Sequence, residues 1–403
     1  MSEITNVLKK GKSNFYLMGN VVVNDYTFQI DEKGKSNSNY LYNRMSLNVD
    51  CGEKNGSINC EMFGGYDSLK PRDLFVHGKN DDGTDNFQDT FYIDWNNRND
   101  PSTIKDLGDN CFIEVALEKD ADDKLIHKKF LSEYDAVEYI SEHLKNGQKV
   151  YVTGQLRYSL YNDKVQVNKS IRKIVAIQEN ENNKDNRRAD FRQTVLLTKD
   201  SANASNINKD KGVLYIDGYV VDYVSGYKDT DYKGNVPIPV TYEFLLDMSD
   251  MKKTKKQIDV LFKVKKKVTE ITFEGSLVEG GKVSEIKYDD LDEDIKELVD
   301  IGVLTEEEAC AKYTDDSKEK RMIITKPATK KIEVDGVSRV AVDKTEEKYS
   351  EDDLVVDLSE YLNNEEITDE DLDSLDADID KALNEENPLM QDNDEIDLAD
   401  LFN

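Results

Sequence analysis

No stretch of this sequence approaches the roughly 18 consecutive apolar residues that a membrane helix needs, so a helical membrane protein is excluded. The opening "MSEITNVLKKGKSNF" lacks the apolar block of a signal peptide, and a cytoplasmic protein is expected, in a host cytoplasm if the source is a phage. Histidine is scarce: His77, His127 and His143 stand alone, each expected at the surface rather than acting as a base or ligand. The four cysteines, Cys51, Cys60, Cys111 and Cys310, show no CxxC spacing, which suits reduced structural thiols. A zinc site from Cys51, Cys60 and His77 is the alternative. There is no HExxH or GxSxG. In "GSLVEGGKV" (275–283) Gly281 stands where a phosphate-binding loop needs its lysine, so a hairpin turn is the better reading. Neither a catalytic residue nor a cofactor is expected.

Charge is present in excess, but unevenly. The formal net charge is −30, and the segment from Glu351 to Asn403 holds 21 acidic residues against the single Lys381. The body before it is only mildly acidic and has room for basic patches. Composition predicts a disordered acidic tail over 350–403. Within it, Thr368 and Asp371 can cap a helix with Leu372, Leu375, Ile379 and Leu383 on one stripe, and "EIDLADLF" adds Ile396, Leu398, Leu401 and Phe402. Apolar groups on an acidic string cannot bury themselves, so these four are candidate anchors for a pocket on a partner protein.

The body is patterned mainly for strands. In "YLYNRMSLNV" Leu41, Asn43, Met45, Leu47 and Val49 alternate with Tyr42, Arg44, Ser46 and Asn48, the period of a half-buried strand. A long polar insertion occupies 64–131. Next comes a helix capped by Ser132 and ended near Gly147, then the strand pair "KVYVTGQLRYSLYNDKVQV" turning at Asn162-Asp163. A second copy of the order is expected: "IDGYVVDYV" (216–224) echoes "LMGNVVVNDY" (17–26), "YEFLLDM" echoes "RMSLNV", and "FEGSL" (273–277) echoes "VTGQL" (152–156). The polar stretch 179–193 reads as the linker between copies. Two short helices are expected over 290–313, the second capped by Thr305 and Glu308. Strand, strand, strand, helix and hairpin, twice, fit two tandem five-stranded Greek-key barrels of the OB type. They would span 1–178 and 194–349, the second with a helical extension.

An OB barrel that holds single strands offers aromatic faces for bases and cations for phosphates. Strand parity places Tyr42, Arg44, Tyr151, Arg157 and Lys164 on one exposed surface, with Tyr161 at the hairpin tip. In the second copy "IDVLFKVKKKV", read as a strand, points Ile258, Val260, Phe262 and Val264 inward and Lys263, Lys265 and Lys267 outward, with Tyr219 and Tyr223 as stacking candidates. Trp95, the single tryptophan, is expected either to stack a base or to anchor the insertion.

The stretch "HLKNGQKVYVTGQLRYSLYNDKVQV" resembles the helix end, strand and hairpin of bacterial and phage single-stranded DNA-binding proteins, and Asp397, Asp400, Leu401 and Phe402 resemble that family's acidic tail tip. Fused copies, the large insertion and Asn403 after Phe402 depart from the bacterial pattern and favour a phage version. The resemblance implies a protein that coats single-stranded DNA in replication or recombination and recruits partner proteins through its tail. A different class, an acidic interaction protein or virion component using OB barrels to bind protein, is the alternative.

Overall fold

The computed structural model describes residues 8–356 and 358, apart from 162–163, 179–182, 184, 210, 229, 281–287, 289–290, 307–319 and 335–336. The four tail anchors and the helix expected from Thr368 lie outside the described residues.

The first half contains β1 (Ser13–Val22), β2 (Phe28–Lys33), β3 (Tyr40–Asp50), β4 (Ser57–Asp67), β5 (Leu74–Lys79), β6 (Asp85–Ile93), the short α1 (Pro101–Ile104), β7 (Ile113–Ala116), β8 (Lys128–Phe130), α2 (Glu133–His143), β9 (Lys149–Tyr161) and β10 (Lys164–Ala176). The second contains β11 (Arg188–Leu197), β12 (Ile207–Asn208), β13 (Val213–Tyr227), β14 (Thr230–Leu245), α3 (Met251–Leu261), β15 (Val268–Glu279), α4 (Glu293–Asp300), β16 (Lys320–Pro327), β17 (Thr329–Val334), β18 (Val337–Val342) and β19 (Lys344–Tyr349). The chain is mainly β. No described helix is long and apolar enough to cross a membrane.

Alternation sets these strands. Met45, Leu47 and Val49 of β3 are fully buried while Arg44 is exposed and Ser46 and Asn48 are half-exposed. The expected helix begins where the Ser132 hydroxyl accepts the Tyr134 N–H at 3.1 Å, and it buries Tyr134, Ala136, Val137, Tyr139 and Ile140.

Strand pairing closes two rings. In the first, β1 pairs β3 and β9, β3 pairs β4, β9 pairs β10, and β4 meets β10 in parallel at Glu61 and Ser170. In the second, β11 pairs β13 and β15, β13 pairs β14, β15 pairs β16, and β14 meets β16 in parallel. Chain order, strand sense and the helix between the third and fourth ring strands are the same in both.

The correspondence is shifted from the one expected in the sequence. "FEGSL" does match "VTGQL": Gly154 on β9 lies opposite Phe15 of β1, and Gly275 on β15 lies opposite Phe191 of β11. But "IDGYVVDYV" is in β13, the second ring strand, and "YEFLLDM" enters from β14, the third. The first strand of the second ring is β11, so residues 188–193 are strand and not linker. Arg188, Asp190 and Arg192 give that stretch a linker's composition, while Ala189, Phe191, Gln193, Val195 and Leu197 turn inward between them.

The segment "IDVLFKVKKKV" is likewise corrected. It is the end of α3 and a loop: Thr254, Ile258 and Phe262 are buried at spacings of four, whereas Val260 is 60% exposed. The Asp250 carboxylate accepts the Lys253 N–H at 3.0 Å and starts the helix. A short apolar run fits both periods, and the polar turn before it decided for helix. Lys263, Lys265 and Lys267 are exposed but form no strand row. Of the two helices expected over 290–313, α4 is described, and the second falls mostly on residues outside the described ones.

The halves share one sheet and one core. β1 and β11 pair antiparallel from Ser13↔Gln193 to Met18↔Arg188, and the main cluster of buried side chains runs through both rings. Lys169 of β10 and Glu279 of β15 form a buried ion pair between the halves, and Glu279 also accepts the Asn59 N–H at 3.0 Å. Asp222 of β13 accepts the Tyr158 N–H at 2.9 Å. Packing continues beyond Ser350, the expected start of the tail: Leu354 and Val356 lie against buried side chains.

Candidate nucleic-acid interface

The structure divides the residues expected on one surface. Tyr42 and Arg44 are on the outer face of β3, where Tyr42 meets the Phe63 ring at 5.4 Å and Arg44 reaches Glu61 at 3.4 Å. Tyr151 is on β9 opposite Met18. β3 touches β1 only through Asn48–Asp50, six residues from Tyr42 and thus about 20 Å along the strand, so Tyr42 and Tyr151 are not brought together. Arg157 and Lys164 are exposed on the β9–β10 hairpin, whose turn at Tyr161 carries no described side chain. Tyr219 is half-buried on Leu8, Leu196, Val221, Val268 and Tyr349, and its other side faces a cavity between the halves. Tyr223 is 58% exposed.

A concentration of rings that the strand pattern does not reveal lies beside Tyr42. After β4 the chain turns at Asp67, whose carboxylate accepts the Leu69 and Lys70 N–H groups at 2.9 and 3.2 Å and the Asn37 amide at 3.1 Å. These donors, Leu69 first, hold Asp67 below the usual carboxylate range. The turn and the β5–β6 hairpin enclose a groove of about 1030 Å³ lined by Tyr40, Tyr66, Tyr92 and Trp95, with the cations Lys70 and Arg72 and the carboxylates Asp67 and Asp73 beside them. Tyr66 stacks on Trp95 at 4.6 Å. The Arg98 guanidinium covers Trp95 at 4.0 Å and grips Asp135 at 2.6 and 2.8 Å. Trp95 is therefore a buried anchor that backs Tyr66. A side chain at Gly65 would come within 2.7 Å of the Tyr40 ring, so the glycine lets that ring lie on the sheet. Tyr92 is 68% exposed and pairs with Phe75, itself 64% exposed, at 5.3 Å.

Lys70 and Arg72 are exposed and make no ion pair among the described residues. Rings that stack bases and cations that meet phosphates are the parts a single-strand groove needs. The available signal was the density of Phe75, Phe87, Phe91, Tyr92 and Trp95 within an insertion otherwise polar in composition.

The described thiols, Cys51, Cys60 and Cys111, are not brought together as a metal centre. Burial pushes Cys51 up to about 12 and Cys60 further still. His77 lies against Cys111 rather than Cys51 or Cys60, with Nδ1 3.3 Å from Sγ and Nε2 2.8 Å from Asp85. Burial raises the Cys111 thiol as well, so this cluster is a clasp for the insertion. Among the described residues no group of three or more His, Cys, Asp or Glu side chains is placed to hold a metal ion.

No curated protein matches the sequence. Among solved structures, the wild-type single-stranded DNA binding protein from Thermus aquaticus is similar at 11% identity over 67% of this chain and 87% of that one, with a TM-score of 0.28. A deletion mutant of that protein gives 9% identity, 68% and 89% coverage and the same TM-score. A score of 0.28 carries no argument for function. The model of the YorF family matches residues 73–371, from the last turn before β5 into the acidic segment. That is well over half of the sequence, and the chain belongs to the YorF family.

Proposed function

We propose that this protein binds single-stranded DNA with little sequence preference, through two OB-type barrels, in phage-type replication or recombination in the host cytoplasm. It acts by binding rather than by catalysis, and Ile396, Leu398, Leu401 and Phe402 engage replication or recombination proteins. Two rings of the same strand order, each with a helix between its third and fourth strands, support the OB assignment. The observation that carries the functional reading is the groove lined by Tyr40, Tyr66, Tyr92 and Trp95 together with Lys70 and Arg72. The alternative, protein binding, draws on one feature, the exposed Val337, Val340 and Val342 of β18.

Trp95 is the only tryptophan and lies directly behind Tyr66 in the groove wall, so intrinsic fluorescence reports on the groove through that stacked ring. Titration with oligo-dT should quench it, and Tyr40→Ala with Tyr92→Ala should weaken binding tenfold or more, since each stacked base is worth about 1–3 kcal/mol. An unquenched Trp95 and no retention of oligo-dT in a gel shift would remove single-strand binding from consideration.

A further inference from the structure

Lys252 to Lys267 contains eight lysines and one acid, Asp259, in a chain whose net charge is −30. The fold gathers them on α3 and the loop that leads into β15. Because Thr254, Ile258 and Phe262 take the buried face, Lys252, Lys253 and Lys256 are turned outward, and Lys263, Lys265, Lys266 and Lys267 are exposed just beyond.

The surrounding carboxylates neutralise only part of this charge. Asp259 reaches Lys263 at 3.6 Å. Asp247 faces Lys253 but is held by the Ser249 hydroxyl and N–H. Glu346 faces Lys265 while bound to Lys344 at 3.1 Å, and Asp353 faces Lys267 while bound by Ser350. Lys252, Lys256 and Lys266 make no ion pair among the described residues.

The second observation is what the patch does not display. Phe262, its one aromatic residue, is 1% exposed, so the surface can neutralise phosphates but cannot stack a base. The aromatic groove of the first half does the opposite: it needs unpaired bases. We infer that the α3 patch is a docking site for the phosphodiester backbone of duplex DNA, and that the protein thereby recognises junctions where a duplex opens into a single strand. Duplex DNA presents about one charge per 1.7 Å of axis, a density that a lysine cluster matches without reading sequence. The junction part rests on the proposed function of the groove; the duplex part does not.

The test uses the full chain and three labelled probes: a blunt duplex, oligo-dT, and the same duplex carrying that dT strand as an overhang. The overhang probe should bind at least tenfold tighter than oligo-dT alone. In the variant Lys252→Gln, Lys256→Gln, Lys263→Gln, Lys266→Gln that gain should vanish and the log-log salt slope on duplex should fall by about 0.9 for each phosphate that is no longer neutralised, with the Trp95 response to oligo-dT and the melting temperature unchanged. Failure of the parent to bind blunt duplex, or duplex binding that survives the four substitutions, overturns the inference. Should oligo-dT neither quench Trp95 nor be retained in a gel shift while duplex binding still depends on these lysines, the groove reading falls and the duplex site stands. If the substitutions matter in the full chain but not in one ended after Leu358, the patch holds the acidic segment instead and the inference is wrong.

Discussion

Phe15 and Phe191 face each other across the β1–β11 pair, and they are equivalent residues of the two rings. Each also lies against a glycine of the neighbouring strand, Gly154 for Phe15 and Gly275 for Phe191. The pairing of like with like gives the molecule a local two-fold relation at its centre, made by backbone pairing of two strands that each bury a phenylalanine.

Both glycines should resist substitution. A Cβ at Gly154 would stand 1.9 Å from the Ser170 carbonyl oxygen and 2.8 Å from the Phe15 ring; at Gly275 it would stand 2.3 Å from the Ile323 oxygen and 2.4 Å from the Phe191 ring. Backbone oxygens in a ladder cannot retreat cheaply. Gly154→Ala and Gly275→Ala should each destabilise by about 1–3 kcal/mol, measured by urea unfolding. Unchanged midpoints would show that the sheet yields at these points.

The buried pair Lys169 and Glu279, 5% and 8% exposed in their side chains, should reward removal of both charges over removal of one. Lys169→Met leaves Glu279 charged without its partner and should cost about 3–5 kcal/mol. Adding Glu279→Gln, which keeps an acceptor for the Asn59 N–H, should recover most of the loss. A double variant no better than the single would mean that the pair itself stabilises the contact between the halves.

Acid should loosen the seam where the N-terminal segment meets the β18–β19 turn. Burial raises the Asp343 carboxyl, but bonds from Lys12, Lys330 and Thr272 outweigh it and hold it at about 2, against an ordinary 3.8. Lys12 is 2.9 Å away and Lys330 3.1 Å. A carboxyl lowered on folding stabilises above its unfolded value, and that contribution disappears as pH falls from about 4 to about 2. Asp343→Asn should be less stable near neutrality and flatter across that window in pH-dependent melting. Parallel curves for parent and variant would refute the assignment.

The separation of Tyr42 from Tyr151 also has a measurable outcome. Tyr42 continues the face that carries Tyr40 into the aromatic groove, so Tyr42→Ala should weaken oligo-dT binding about tenfold. Tyr151→Ala should change it less than about twofold. Equal losses would place the DNA across β9 instead.

Much of the first ring was legible because its signals are local. The alternation of Met45, Leu47 and Val49 and the Ser132 cap each act within a few residues. β11 was hidden because charges at 188, 190 and 192 mask a strand whose partners, β1 and β15, are remote in sequence. The lysines after Asp259 are plain as charges but fall on a different element from the one expected, since Ile258 and Phe262 satisfy a helix and a strand equally until the buried Thr254 is known. The groove was hidden for a third reason: Tyr40, Tyr66 and Tyr92 come from β3, β4 and β6, and only folding makes them neighbours.

The like-with-like pairing also bears on the growing chain at the ribosome. The edge of β1 from Ser13 to Met18 waits for partners about 180 residues downstream, a delay on the order of ten seconds or more during translation. Through that interval an unpaired edge carrying Phe15 and Leu17 is exposed, and any free antiparallel edge, including the same edge on the next nascent chain of a polysome, can pair with it before β11 does.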